Sequence, residues 1–513
     1  MNAKESMSYD KLLDEKNYFQ SVTQTLGDEI TVLKEQVSWF KRQIFGKRSE
    51  KISPSDKDQL ILKGFEFLRE LPVEADKIVK EHKRKKPKRK GQDAITIPED
   101  LPIETTILDI PESEKVCKET GVNLVKIGDE KSHKLAHKPG SYYIKETIRP
   151  KYAHPQKEEN GILTADLPDS LIPKCRADES LLASIITKKY GDHLPLYRIE
   201  EIMGREGIKI SRKLLSQWVL RCASGLKPLY DEMLKKVLSG KEVFIDEVPV
   251  KLQKKVKCKQ SYLWVVVGGG EGEKNPPYRI YEFKEDRRHQ HAFDILGKYS
   301  GGLHSDKYEA YQKLAKKGQV EWYPCYAHIR RKFFEVECGD LDLCKWILRK
   351  IRHLYMLDRV AWSRSPKERL RIRQEKAIPI IDELIKTIQE RQEDGKILPK
   401  SKLRKALTYT FGLIPYLKNY TKNANAHLDN NVAERSVRPI AIGRKNWLFF
   451  GSSSGGEAAG ILFSLVQTCR SLGINPREYL EDVMRRIMSH NSQKLYELLP
   501  DQWLKSQKNT SPP

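Results

Sequence analysis

The sequence predicts a multidomain chain built around an α/β domain that a helical insertion interrupts. Three observations carry this. From Glu242 onward, the apolar stretches VFIDEVPVKL, SYLWVVVGGG and YRIYEFK give way to alternating helix and strand patterns, as in a mixed sheet with helices packed on it. Residues 335–422 are strongly charged and helical and carry no strand signal. Near the N-terminus, Leu12, Phe19, Leu26, Leu33 and Phe40 recur every seven residues, the spacing of a coiled-coil seam.

The elements follow in order. Residues 1–50 are read as a coiled-coil helix, with Ile30, Val37 and Ile44 at the second seam position. Lys16 and Thr23 weaken the first half of that seam, and the same stripe also suits packing on the chain's own surface. Residues 51–99 read as a basic linker, because EHKRKKPKRK puts seven Lys or Arg residues in ten positions and builds no core. Residues 100–177 form a β-rich region: IETTILDI, SYYIKETIRPKYAHP and NGILTADLP are β-branched and aromatic. Residues 178–240 are helical and contain a helix–turn–helix pattern, in which Ser211 caps the second helix and Leu214, Leu215, Trp218 and Val219 form its apolar stripe. Its exposed face offers Arg212, Lys213 and Gln217 to DNA; an ordinary helical hairpin is the alternative reading.

Residues 241–334 form the first part of the α/β core: three strands, then helix HQHAFDILGKY, strand GGLHSD, helix YEAYQKLAKK and strand VEWYPCYAH. The insertion occupies residues 335–422, the second core part with its C-terminal helices 423–490, and a tail 491–513, whose end SQKNTSPP is read as disordered.

Composition narrows the partners. The 513 residues carry a net charge of +24, which points to a polyanion, either nucleic acid or an anionic membrane surface. No apolar run is long enough to span a bilayer, the first residues are too polar and acidic for a secretion signal, and the eight cysteines make no C-x-x-C pair. A cytoplasmic protein without a disulfide framework is expected.

Three acids draw attention. Asp246 is read at the end of strand VFID, Asp306 directly after strand GGLHS, and Glu434 within a helix followed by Arg435, Arg438, Arg444 and Lys445. Carboxylates are the hard ligands that Mg²⁺ or Mn²⁺ takes beside a phosphate. Taken alone, Asp246 reads more plainly as a turn-forming acid. Arg438 stands four residues after Glu434, so the two are placed to pair on the helix, while Arg438 and Arg444 also suit DNA phosphates. Cys325 and His328 make a C-x-x-H step; two ligands are too few for zinc, and His328 reads better as a support for the neighbouring strand.

FIDEVPV, HSDKYEAY, CYAHIRRKFFE and LDNNVAERSVRPIAIGRKNWLFFGS, in that order, resemble the bacterial insertion-sequence transposases of the sixty-six family. KKYGDHLPLYRIEEIMGREGIKISR, the leader IFGKRSEKI and the ending INPREYLEDVMRRI do so too, and the resemblance covers most of the chain. It implies a ribonuclease H-like catalytic fold and a DDE triad at Asp246, Asp306 and Glu434 that uses Mg²⁺ or Mn²⁺. It implies terminal inverted repeats and target DNA as partners in the bacterial nucleoid; two ends cut in concert and the N-terminal heptad point to a homo-oligomer, and the need for helper proteins encoded by the same element is left open. Two departures stand out. Family members carry a zinc module upstream, whereas VCKETG and KYAHPQ keep only Cys117 and His154, so 100–177 is read as a degenerate module without structural zinc. Val248 stands where the family usually has Thr. The reading is therefore a transposase that cleaves and joins DNA. An inactive, transposase-derived DNA-binding protein and a structure-specific nuclease are its rivals.

Overall fold

The computed structural model describes residues 101–510, apart from 113–114, 116–122, 124, 139, 154–161, 270–277 and 337–338. The expected coiled coil and basic linker lie outside these residues, as do Cys117 and His154. Among the described residues, all but 336 and 339–343 belong to one compact unit, which holds both sheets.

A small sheet comes first: β1 (Ile103–Ile107), β2 (Val125–Lys138), β3 (Ser141–Ala153) and β4 (Ile162–Thr164). β3 is central, with β1 parallel to it and β2 and β4 antiparallel. The length of β2 is not visible in its polar sequence, VKIGDEKSHKLAHK. Pairing with β3 along its whole length supplies what propensity does not. Leu135 and Ala136 are fully buried. The amide of His137 donates to Ser180 Oγ at 3.0 Å, which docks the ribbon on the next helix.

That helix is α1 (Glu179–Tyr190), followed by α2 (Leu196–Arg205) and α3 (Arg212–Leu238). Asp178 caps α1 by accepting from Ser180 N at 3.0 Å. Ser211 caps α3 as its sequence predicts, accepting from Leu214 N at 3.3 Å, and Leu214, Leu215, Trp218 and Val219 are buried. At 27 residues α3 is long, and only its first turns correspond to the expected reading helix.

The main sheet contains β5 (Glu242–Leu252), β6 (Lys259–Gly269), β7 (Arg279–Lys284), β8 (Gly302–Ser305) and β9 (Glu321–Pro324). The order is β7-β6-β5-β8-β9. β7, β6 and β5 run antiparallel, and β5, β8 and β9 parallel. Between them lie α4 (His289–Leu296), α5 (Glu309–Lys316) and α6 (Tyr326–Phe334). The expected strand VEWYPCYAH is thus shorter than read. It ends at Pro324 and turns into α6.

The insertion comprises α7 (Leu341–Trp362), α8 (Pro366–Ile372), a π turn (Arg373–Ala377), α9 (Ile378–Glu393) and α10 (Lys402–Phe411). The buried Arg373 ties it to the core. Its Nε and Nη2 donate to Asp358 Oδ1 at 3.0 and 2.6 Å, and Nη1 donates to the carbonyl of Asn423 at 2.6 Å. Asn423 in turn donates 2.7 Å to Glu242 at the base of β5.

The chain then forms α11 (Asn431–Trp447), α12 (Ser453–Ser471), α13 (Pro476–Arg486) and α14 (Pro500–Thr510). α14 includes residues read as a disordered tail; Leu498, Leu499 and Trp503 are buried and hold it down. α12 explains the glycine-rich GSSSGGEAAG. Ser464 Oγ accepts the amide of Tyr281 at 2.8 Å, and Thr468 Oγ1 that of Arg279 at 3.0 Å. Four helical residues rise about 6 Å and two strand residues about 6.8 Å, so an i, i+4 pair of hydroxyls matches alternate amides of an edge strand. Contact this close needs Gly460, where a Cβ would lie 2.5 Å from the carbonyl oxygen of Tyr281. The open edge of β7 is thereby covered.

Candidate active site

Parallel strands often collect ligands at their C-terminal ends, and β5, β8 and β9 are the parallel strands here. Their register sets Phe244 beside His304 and His304 beside Tyr323. Asp306 directly follows the last residue of β8, and Cys325 the last residue of β9. Asp246 does not end its strand, as its sequence suggests. It is the fifth residue of eleven in β5, which continues against β6 to Leu252. Alternating Val248, Val250 and Leu252 are buried and carry the strand on. Pairing with β8 stops at Phe244, so Asp246 stands just beyond the end of its shorter neighbour.

Glu434 arrives on the first turn of α11. The fully buried Asn430 fixes that turn. Its Nδ2 donates to the carbonyl of Ile245 at 2.8 Å, its amide to Cys325 Sγ at 3.2 Å, and its carbonyl accepts Glu434 N at 3.1 Å. One residue therefore joins the strand of Asp246, the start of α6 and the helix of Glu434. The sequence gives only a faint signal of this, an Asn before a helix, and its side chain does not cap that helix.

The acids feel one another. Burial pushes the Asp246 carboxyl up to about 8, and the charges of Glu247, Asp306 and Glu434 add to the rise against the Glu247 amide that bonds it. Glu247 is a further acid that sequence reasoning does not single out. Burial and Asp306 raise it, while Arg287 opposes them with a bond at 2.7 Å and Tyr311 donates to it at 3.1 Å. Asp306 accepts the amide of Tyr308 at 3.0 Å.

Around Glu434 the partners differ from expectation. Arg331 Nη2 lies 3.4 Å from Oε2, His328 Nδ1 3.5 Å from Oε1, and Cys325 Sγ 3.9 Å from Oε1. These neighbours belong to α6 and the residue before it, and the ion-pair partner is Arg331, not Arg438. An acid in the first turn of a helix faces away from the helix body towards whatever crosses that end, and here α6 crosses it. His328 faces Glu434 from α6 and not the neighbouring strand; Arg331 gives no advance signal beyond its basic neighbourhood. Burial pushes the Cys325 thiol up to about 12, against the amides of Asn430 and His328.

The basic residues divide into groups. Arg212, Lys213 and Gln217 are exposed at the start of α3, with Arg212 Nε 3.2 Å from Glu200 of α2. Arg435 and Arg438 line a cleft together with Arg279, Arg470 and His193. Arg444 Nη1 donates to the carbonyl of Pro249 at 2.6 Å, and Lys445 is exposed.

Comparison with known proteins gives the family. Residues 174–458 match the family described as transposase IS66 family, residues 464–500 the IS66 C-terminal element, and residues 32–106 the segment described as transposase C of IS166 homeodomain. The last match overlaps the stretch read as a basic linker. Two proteins of Sinorhizobium fredii, both described as uncharacterized, are similar over nearly their whole length. The protein y4jD is 32% identical over 488 residues, covering 92% of this chain and 94% of the relative. The protein y4qI is 30% identical over 485 residues, covering 91% and 88%.

Proposed function

Because this chain belongs to the IS66 transposase family, we propose that it cleaves DNA at the ends of its own element and joins the freed 3′-hydroxyl to target DNA, using Asp246, Asp306 and Glu434. A ribonuclease H-like fold is part of this reading; a sheet of three antiparallel and two further parallel strands supports it. One observation carries the proposal. Asp246 stands just beyond the end of β8, Asp306 directly follows that strand, and Asn430 seats the turn that carries Glu434 on the carbonyl of Ile245. Like charges held together this way call for a cation, and an all-carboxylate donor set suits Mg²⁺ or Mn²⁺.

When bound, such a metal would lower the pKa of the attacking water or 3′-hydroxyl and offset the charge on the phosphate. The chain's own residues do the rest. Asp246 and Asp306 present oxygens from neighbouring strands. Arg331 holds the Glu434 carboxylate from α6. Asn430 keeps α11 seated on β5. Arg212, Lys213 and Gln217, with the basic residues of α11, are read as DNA contacts, and the N-terminal heptad as the means of pairing two chains on two ends. Element-encoded helper proteins belong to the same reading. Among the described residues no helix is long and apolar enough to cross a membrane.

The test is cleavage and strand transfer of DNA carrying the terminal inverted repeats. Asp246→Asn, Asp306→Asn and Glu434→Gln should each abolish both steps while DNA binding persists, and a chelator should do the same to the native chain. Retained cleavage in all three variants overturns the assignment. Cleavage without joining in the native chain makes it a nuclease, and binding without cleavage makes it an inactive descendant.

A further inference from the structure

The first turns of α6 and α11 hold a second donor set, chemically unlike the carboxylates. Cys325 Sγ, a ring nitrogen of His328 and a carboxylate oxygen of Glu434 all lie within 4.8 Å of one another. Two of the separations are tight, 3.5 Å for His328 Nδ1 to Glu434 Oε1 and 3.9 Å for Cys325 Sγ to the same oxygen. Ligands of one tetrahedral zinc ion, bound at about 2.0–2.3 Å, sit roughly 3.3–3.8 Å apart. The three donors therefore need only small movements to share an ion.

Further features prepare the site. His328 Nδ1 is buried and makes no hydrogen bond among the described residues, although a buried ring nitrogen normally has a partner. The Asn430 amide donates to Cys325 Sγ at 3.2 Å, the kind of outer contact that steadies a metal-bound thiolate. Arg331 holds the other oxygen of Glu434 and leaves Oε1 turned to Cys325 and His328.

We propose that Cys325, His328 and Glu434 bind one thiophilic divalent cation of the Zn²⁺ class, leaving a fourth position open to water or a phosphate oxygen. Sulfur and imidazole select this class over Mg²⁺, which prefers oxygen. Glu434 is then shared, and a bound soft cation withdraws it from Asp246 and Asp306. The site would act as a brake on the Mg²⁺-dependent reaction, so this consequence rests on the function proposed above; the binding itself does not.

The experiment uses the full chain without DNA and Co²⁺ as the probe. Titration of metal-free protein should give a thiolate-to-cobalt charge-transfer band that saturates at one ion per chain and disappears on adding Zn²⁺. Cys325→Ser should abolish the band, and His328→Gln, which keeps the thiol, should weaken binding at least tenfold. Circular dichroism and thermal unfolding establish that each variant folds; a variant that fails is replaced by Cys325→Ala or His328→Asn. Cobalt binding without a thiolate band, a band that survives replacement of Cys325, or native affinity after replacement of His328 overturns the proposal. A cobalt band with no Mg²⁺-dependent cleavage sinks only the transposase reading, and cleavage without the band sinks only this site.

Discussion

Asn430 offers a sharp test of how the site is assembled. Replacing it by Ala leaves the bond to the Ile245 carbonyl unmade, and a buried hydrogen bond lost in this way costs ~1–3 kcal/mol. Replacing it by Asp keeps the shape but removes the donor, and sets a carboxylate against a carbonyl in a fully buried position. An uncompensated buried charge costs more, ~3–5 kcal/mol. In domains of about 150–250 residues each kcal/mol moves Tm by roughly 2–4 °C. The expected losses are therefore about 2–12 °C for Asn430→Ala and about 6–20 °C for Asn430→Asp. Chemistry should fall as well, because Asn430 seats the turn that carries Glu434. A misplacement of ~1 Å in a catalytic group can cost ~100-fold in rate, while affinity for DNA should hardly change. Differential scanning calorimetry and single-turnover cleavage of end-containing DNA measure the two effects. The reasoning is refuted if Asn430→Asp is no less stable than Asn430→Ala, or if both cleave at the native rate.

Two glycines should respond oppositely to one substitution. Gly460→Ala should destabilise by ~1–3 kcal/mol, since the new Cβ meets the Tyr281 carbonyl at 2.5 Å. Gly204→Ala in α2, where nothing among the described residues lies within 4 Å, should stabilise by ~0.5–1 kcal/mol through helix propensity; urea denaturation reads both signs. Arg373→Met should cost ~3–5 kcal/mol, because Asp358 loses its buried partner, and thermal unfolding should show the loss directly. Acidification tests Asp178. Burial works to raise its carboxyl, but the Arg485 bonds at 2.6 and 3.2 Å outweigh it and hold the group well below its ordinary range. A depressed folded value means stabilisation present above the unfolded value near 3.8 and lost as pH falls through the folded one. Arg485→Met should thus be less stable at neutral pH and lose less than the native chain between about pH 6 and pH 3.

Much of the architecture is legible in the sequence where one principle decides it. Runs of β-branched residues mark β5 to β7, and the charged period of 335–422 marks a helical insertion. Ser211 before an apolar stripe marks the start of α3. Legibility fails where a partner remote in the chain decides. Polar β2 becomes a strand because β3 pairs with it throughout. Residues 500–510 become α14 because Leu498, Leu499 and Trp503 find a core. Asp246 looks like a strand end because Pro249 follows, yet an edge-tolerant proline does not stop β5 from running on beside β6.

The two faces of α11 show the same division within one helix. Spacing alone makes Glu434 and Arg438 eligible to pair, but a helix has a direction and a surface that spacing ignores. Glu434 lies in the first turn, where the helix dipole favours a carboxylate, and the basic start of α6 reaches it from outside. Arg438 lies one turn further on, beside Arg279, Arg435 and Arg470 in a separate cleft. A pairing of the two would cancel charge that each uses elsewhere. Kept apart, the acid joins the end of the sheet where Asp246 and Asp306 stand, and the arginine adds to a basic surface suited to a phosphate backbone. On the proposed function, one helix therefore supplies both a ligand for the metal and a contact for the DNA, and the distinction between them comes from which neighbour crosses each turn.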